Sequence, residues 1–125
     1  MNSAFTALVV DDSAIIRGQL KRVLGAAGIA TVAEAASAND LTALYEKHRP
    51  DLVTLDVVMP GRDGVTAAAE LLAKHPDAKI VMCTSVTSRD KILAAQKAGV
   101  KHYVLKPFDP ERATAIFTNA VKDKK

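Results

Sequence analysis

Five short β-branched runs that alternate with longer helix-patterned segments constrain the fold of this chain most strongly. The runs are TALVV (6–10), IATVAE (29–34), DLVTL (51–55), KIVMCT (79–84) and HYVL (102–105). Between them, apolar residues recur every three to four positions, as in amphipathic helices. Because alternating strands and helices build parallel sheets covered by helices, the sequence predicts an α/β fold of repeated strand–helix units.

Five helices are predicted from this spacing and from capping residues. The apolar faces of the first, second, third and fifth helices are, in that order, Ile16, Leu20, Val23 and Leu24; Leu41, Leu44, Tyr45 and His48; Val65, Ala68, Ala69 and Leu72; and Ala113, Ile116, Phe117, Ala120 and Val121. The predicted N-caps are Asp12 or Ser13, Ser37 or Asn39, and Asp109 before Pro110. The predicted ends are Gly25 or Gly28 for the first helix, a position before Pro76 for the third, and Gly99 for the fourth, which runs from about Ser88 to Gln96.

The length of 125 residues fits one domain, and we expect residues 1–125 to form it. The single cysteine, Cys83, lies in an apolar run, which is typical of a small buried side chain in a reducing compartment. The N-terminus lacks the features of a signal peptide, and no apolar run approaches the roughly 20 residues of a membrane span. We therefore expect a soluble, cytoplasmic protein without membrane contact.

Charge and histidine placement argue against nucleic-acid binding and zinc binding. The net charge is +3 and the pI is 9.1, but the basic residues are scattered apart from the terminal VKDKK, and no aromatic RNA-binding motif accompanies them. His48 and His102 have no partner at metal-ligand spacing, so both are interpreted as ordinary histidines.

Polar residues gather where the predicted strands end. Asp56 breaks an apolar run just before Met59-Pro60-Gly61, which indicates the last position of a strand. The other strand ends carry Asp11-Asp12, Thr84-Ser85 and Lys106-Pro107. Each alone has an ordinary interpretation, as a helix cap, a turn hydroxyl or a solvated lysine. Because the carboxyl ends of parallel strands line one edge, we expect them to meet there.

Three carboxylates at one point repel one another, so they must share protons or hold a divalent cation. Mg²⁺ fits oxygen donors best, since neither cysteine nor paired histidine is available for zinc. A carboxylate beside Mg²⁺ can attack phosphorus and form an acyl phosphate, with lysine and threonine neutralising phosphoryl oxygens. These residues predict a phosphoryl-transfer site.

Four blocks carry a family resemblance: VVDDS (9–13), DLVTLDVVMPGRDG (51–64), MCTS (82–85) and YVLKPF (103–108). In order and spacing they resemble the response-regulator receiver domains of the CheY type, over essentially the whole chain. The resemblance implies a doubly wound, flavodoxin-like sheet of strand order 2-1-3-4-5 with five helices, and a cis peptide between Lys106 and Pro107.

The resemblance also implies residue roles. Asp56 would be the phosphoacceptor. Asp12, Asp56 and the backbone carbonyl of Val58 would bind Mg²⁺, and Asp11 would act through a metal-bound water.

Thr84 would follow the phosphoryl group, Lys106 would pair with it, and Tyr103 would change rotamer. Val58 and Val86 stand where polar and acidic side chains are common in chemotaxis members. Since neither can orient the attacking water, the two valines predict a long-lived phosphate.

The implied partners are a histidine kinase or phosphotransfer protein, a target protein bound by the fourth helix, fifth strand and fifth helix, and a separate phosphatase. We expect a monomeric signalling switch, with chemotaxis as one setting, and not an enzyme. One alternative is an Mg²⁺-dependent phosphohydrolase with an aspartyl nucleophile, which usually needs a second acid where Val58 stands. A second alternative is a receiver cut from a larger DNA-binding regulator, although the VKDKK tail favours a natural end. A third is a degenerate receiver that only binds a partner, and the complete set of acids, threonine and lysine argues against it.

Overall fold

The computed structural model describes residues 5–57, 63–84 and 89–122. The strands are β1 (Phe5–Val10), β2 (Ile29–Ala35), β3 (Leu52–Asp56), β4 (Ile80–Thr84) and β5 (His102–Leu105). The helices are α1 (Ala14–Ala26), α2 (Leu41–His48), α3 (Gly64–Lys74), α4 (Arg89–Ala98) and α5 (Pro110–Lys122). All five predicted strands and all five predicted helices are therefore present.

The strands form one parallel sheet in the order β2-β1-β3-β4-β5, as expected. Strand β3 lies at the centre, with β1 on one side and β4 on the other. Its last residue, Asp56, pairs in register with Cys83 of β4, one residue before Thr84. The register thus brings the ends of β3 and β4 to the same level.

Two apolar cores lie on opposite faces of the sheet. One core joins Val53 and Leu55 of β3 to α2, α3 and α4 through Leu41, Leu71 and Ala95. The other joins neighbouring sheet positions to α1 and α5, with a fully buried Phe117 among its largest side chains. Because successive strand residues point to opposite faces, β3 and β4 are buried along their whole length.

The termini of α1 agree with the prediction. Ser13 is the N-cap, and its hydroxyl oxygen accepts from the backbone N–H of Ile16 at 3.2 Å. Gly25 lies within the helix, whereas Gly28 follows its end with a φ of 80°, which a side chain would disfavour. Ser13 and Gly28 are thus the correct choices of the two pairs.

The predicted start of α2 is wrong. The N-cap is Asp40, without a side-chain capping bond, and the hydroxyl of Ser37 instead accepts from the N–H of Asn39 at 3.4 Å. The Ser37 hydroxyl bonds within a local turn and does not cap the helix, because short polar side chains bond equally well to nearby turn amides.

Predictions for α3, α4 and α5 differ in their outcome. Helix α3 ends before Pro76 as expected, but its fully buried face includes Ala67 and Leu71, which the predicted face omitted. Gly99 follows α4 with a φ of 108°, while Ser88 lies outside the described residues. Helix α5 begins at Pro110 after Asp109 as predicted. Within the described ranges, no helix is long and apolar enough to cross a membrane.

Candidate functional site at the carboxyl edge of the sheet

Three aspartates meet where β1 and β3 end. One carboxylate oxygen from each of Asp11, Asp12 and Asp56 lies within 4.8 Å of the others. Asp11 is fully buried, Asp56 is 7% exposed, and Asp12 is open to solvent. In the part of the chain that the structure describes, no other group of three or more histidine, cysteine or acidic side chains is arranged to hold a metal ion. The acids predicted at the strand ends are therefore brought together.

Lys106 neutralises the buried part of this cluster. Its Nζ lies 3.1 Å from Oδ2 of Asp11 and 3.2 Å from Oδ1 of Asp56. Burial alone would lower the pKa of Lys106, but the charges of Asp56 and Asp11 and their hydrogen bonds outweigh burial and raise it. The lysine is thus a fixed cation that bridges two strand ends. Its peptide bond to Pro107 is cis, as expected.

Thr84 ends β4 at the same edge and is 2% exposed. Its carbonyl oxygen accepts from the backbone N–H of Lys106 at 2.7 Å, which ties the end of β4 to the loop after β5. The structure therefore places Thr84 and Lys106 beside the acids, as the strand order requires.

Several contacts fix the backbone around Asp11. Its N–H donates to the carbonyl oxygen of Ala35 at 3.0 Å, and its carboxylate accepts from the N–H of Ser13 at 2.9 Å. Its carbonyl oxygen accepts from Nη1 of Arg17 at 2.6 Å, and Nε of Arg17 donates to Glu34 at 3.0 Å. Arg17 and Glu34, which lies on β2, were assigned no function from the sequence.

Gly64 is a second residue that sequence reasoning did not single out. It begins α3, and a Cβ there would overlap the backbone carbonyl oxygen of Asp56. Its presence at the end of the DLVTLDVVMPGRDG block was the available signal.

Tyr103 lies on β5, where it pairs with Met82 of β4, and is half-buried. Its hydroxyl donates to the carbonyl oxygen of Val100 at 2.8 Å, and burial raises its pKa. Val58, Ser85 and Val86 lie outside the described residues, so the metal-ligand role of Val58 and the phosphate-lifetime argument stay predictions.

The donor set suits Mg²⁺. All three side chains offer oxygen, the exposed Asp12 leaves one side open to water, and no sulfur or imidazole joins the cluster. The histidines lie elsewhere: His48 ends α2, His102 begins β5, and Nε2 of His75 contacts Oε2 of Glu46 at 2.9 Å. The cluster therefore fits the predicted cation.

Comparison with known proteins gives consistent matches. A family model described as "Response regulator receiver domain" matches residues 7–118. The chemotaxis protein CheY of Listeria monocytogenes is 35% identical over 115 residues, which make up 92% of this chain and 97% of that protein. The transcriptional regulatory protein PdtaR of Mycobacterium tuberculosis is 42% identical over 101 residues, or 81% of this chain and 49% of that protein.

A solved structure gives the same fold. A chain of the CheX–CheY–BeF3–Mg²⁺ complex from Borrelia burgdorferi has a TM-score of 0.87 and 26% identity. The match covers 96% of this chain and 90% of that chain. This match supports a CheY-like fold, whose strand order brings the acids to one edge of the sheet.

Proposed function

This chain belongs to the response regulator receiver domain family and is a response regulator of two-component signal transduction, and we propose that Asp56 is its phosphoacceptor. The observation that carries this proposal is the position of Asp56. It ends the central strand, is 7% exposed, and lies 3.2 Å from the Lys106 ammonium. A carboxylate so placed is paired with a cation and held in one orientation, as a nucleophile toward phosphorus needs to be.

In the proposed reaction a carboxylate oxygen of Asp56 attacks the phosphorus of a phosphohistidine on a histidine kinase or phosphotransfer protein. The new oxygen–phosphorus bond forms as the phosphorus–nitrogen bond breaks. The imidazole nitrogen keeps that electron pair and takes up a proton from solvent.

The neighbouring groups bind and orient the phosphoryl group. Lys106 stays protonated and pairs with one phosphoryl oxygen, while the Thr84 hydroxyl donates to another. Receiver domains bind Mg²⁺ at an acidic site, and here Asp12 and Asp56, with Val58 and a water held by Asp11, would bind it. Bound Mg²⁺ would supply charge neutralisation at the phosphoryl oxygens.

The test is phosphorylation by acetyl phosphate in the presence of Mg²⁺. Intact-protein mass spectrometry should show one added phosphoryl group on the wild type and none on Asp56→Asn. The matched control is Asp40→Asn, since Asp40 is an exposed aspartate whose side chain makes no capping bond. An unmodified wild type, or modification of Asp56→Asn equal to that of the control, would contradict the proposal.

We further propose that the face made by α4, β5 and α5 binds the downstream target protein. Leu93 on α4 and Leu105 on β5 are 56% and 45% exposed. Leu105 also lines a groove between β5 and α5, together with Tyr103, Arg112 and Ile116. Thr84, drawn toward the phosphoryl group on Asp56, would leave space behind it, into which the Tyr103 ring can turn after its hydroxyl releases the carbonyl oxygen of Val100.

Beryllofluoride, which mimics the phosphoryl group, tests this coupling. Amide chemical shift changes should cluster at residues 84–112 in the wild type and shrink outside the acidic pocket in Tyr103→Ala. Tyr103→Phe, which keeps the ring, should retain most of the changes. Shift changes confined to the pocket in the wild type would refute the coupling.

The wider setting follows the relatives. We propose one receiver domain over residues 1–125 that acts as a monomeric, cytoplasmic switch without turnover chemistry of its own and without nucleic-acid or membrane contact. Relatives named CheY make chemotaxis the first pathway to test, and loss of directed swimming on deletion of the gene is the expected phenotype. A separate phosphatase is the expected partner for resetting the switch.

A further inference from the structure

We propose that Arg17 is a positioning residue for Asp12, and that Glu34 holds Arg17 in place for this task. The inference rests on the proposed function, because it concerns the Mg²⁺ affinity of the same acidic site. It assigns a part in cation binding to two residues that supply no ligand atom to the cluster.

The Arg17 guanidinium spans two segments of the chain. Nε donates to Oε1 of Glu34 on β2 at 3.0 Å, and Nη1 donates to the carbonyl oxygen of Asp11 at 2.6 Å. The Arg17 side chain is 18% exposed, so solvent competes weakly for these bonds. Lys21 grips the other oxygen of Glu34 at 2.7 Å. Arg17 and Lys21 of α1 thus hold Glu34 of β2, and Arg17 also holds the loop after β1. We call this set of contacts the clamp.

The peptide group that Arg17 holds is the one that joins Asp11 to Asp12. Asp11 has further supports, since its N–H is bonded to Ala35 and its carboxylate to Ser13 and Lys106. Asp12 differs, because within the described residues no hydrogen bond or ion pair holds its exposed carboxylate. Its direction depends on the backbone, and the Arg17 bond fixes the plane of the preceding peptide.

Positioning and simple charge predict opposite effects on Mg²⁺ binding. A guanidinium near a cation site repels the cation, so removing its charge should strengthen Mg²⁺ binding if charge decides. If positioning decides, the same removal should weaken binding, because the Asp12 ligand loses its fixed orientation. The sign of the change therefore separates the two explanations.

Arg17→Lys separates them a second time. Lysine keeps the positive charge, but a single ammonium lacks the planar fork that reaches Glu34 and the Asp11 carbonyl together. Positioning predicts weaker Mg²⁺ binding for Arg17→Lys, whereas charge predicts no change. The matched control is Arg22→Met, which removes an exposed positive charge from α1 that makes no described contact with Glu34, Asp11 or Asp12.

The experiment is a Mg²⁺ titration of the phosphate-free protein, followed by amide chemical shifts at physiological ionic strength. We expect the dissociation constant to rise about 10-fold for Arg17→Met and for Arg17→Lys, as is typical when a partner of a ligand residue is lost. For Arg22→Met we expect a change of no more than about 2-fold, since salt screens this exposed charge. Thermal unfolding of each variant shows that it is folded.

A second measurement distinguishes positioning from general loss of packing. The rate of phosphorylation by acetyl phosphate should reach nearly the wild-type value at saturating Mg²⁺ in Arg17→Lys, with only the half-saturating Mg²⁺ concentration raised. A rate lowered equally at every Mg²⁺ concentration would overturn the inference.

Two other outcomes would contradict the positioning role of Arg17, and they differ in whether they also contradict the proposed metal site. Wild-type protein that binds Mg²⁺, with unchanged or tighter binding in both Arg17 variants, overturns the positioning role alone. Wild-type protein that shows no Mg²⁺-dependent shift overturns the proposed metal site together with this inference.

Discussion

At the scale of single residues, Gly64 shows how closely the start of α3 approaches Asp56, the proposed phosphoacceptor. Helix α3 starts immediately beside the end of β3, and the N–H of Gly64 donates to the carbonyl oxygen of Val57 at 3.3 Å. A side chain at this position would collide with the backbone of Asp56 and Val57. The missing Cβ is therefore a condition for the backbone geometry at Asp56, the proposed phosphoacceptor.

Gly64→Ala should displace the end of β3. We expect the free energy of unfolding to fall by about 1–3 kcal/mol, the usual cost of overpacking, and phosphorylation by acetyl phosphate to slow. Gly25→Ala is the control, because a Cβ there meets nothing within 4 Å, and alanine should stabilise the interior of α1 by about 0.5–1 kcal/mol. Equal effects of the two substitutions in urea denaturation would contradict the steric argument.

Glu34 makes the clamp sensitive to acid. The hydrogen bond from Lys21 lowers the pKa of Glu34 most, burial opposes it, and the bond from Arg17 lowers it further, so the net shift is downward. A lowered pKa means that Glu34 stabilises the folded state above its unfolded pKa of about 4.3, and that this stabilisation is lost as the pH falls through the folded value.

A carboxyl ¹³C NMR titration should therefore give Glu34 a midpoint below the usual glutamate range. Lys21→Met should raise that midpoint, because it removes the shortest ion pair of the clamp. Arg112→Met, which alters an exposed side chain on α5, should leave it unchanged. A normal midpoint in the wild type would show that the clamp does not form in solution.

At the scale of elements, β3 is buried on both faces although it contains Thr54 and ends in Asp56. Its five residues are all buried, including the hydroxyl of Thr54, for which the described residues provide no hydrogen-bond partner. An unpaired buried hydroxyl costs about 1–3 kcal/mol by mutational data. The central strand therefore carries a defect that a methyl group of the same shape would remove.

Thr54→Val should raise the free energy of unfolding by about 1 kcal/mol, measured by urea denaturation, because it replaces the unpaired hydroxyl without changing side-chain shape. Thr31→Val is the comparison, since Thr31 on the edge strand also lacks a partner but is only half-buried, and its gain should be smaller. A destabilised Thr54→Val would mean that the hydroxyl is bonded in solution.

At the scale of the whole molecule, the two cores and the sheet between them protect Cys83. The thiol is fully buried on β4, and burial raises its pKa to about 12, with the nearby charges contributing less. Since the thiolate is the reactive form, a buried thiol of this pKa can react only when the protein unfolds around it.

Labelling of Cys83 by iodoacetamide should therefore report global unfolding. It should be slow in the native protein and immediate in strong denaturant. Phe117→Ala removes a fully buried side chain and should lower the free energy of unfolding by about 3–5 kcal/mol. Under conditions where the labelling rate follows the equilibrium population of the unfolded state, this change should accelerate labelling at least 100-fold. Mg²⁺ with beryllofluoride should slow it, because ligands of the folded state stabilise that state. Fast labelling of the native wild type would contradict complete burial.

The sequence by itself determined the element order, the parallel sheet and the place of Asp56 at a strand end. These follow from local signals: β-branched runs, helical spacing, and Pro or Gly at the ends of elements. The common edge of Asp11, Asp56, Thr84 and Lys106 also followed, because parallel strands share one carboxyl edge.

Only the tertiary structure decided the contacts around those groups. The Arg17–Glu34 clamp joins residues 17 positions apart on different elements, and no local pattern encodes that pairing. The cap of α2 and the closeness of Gly64 to Asp56 depended likewise on how elements pack and turn. Propensity and periodicity act over a few residues, whereas the orientation of a ligand side chain is set by backbone contacts between distant segments, so it is fixed only once the sheet and its helices are assembled.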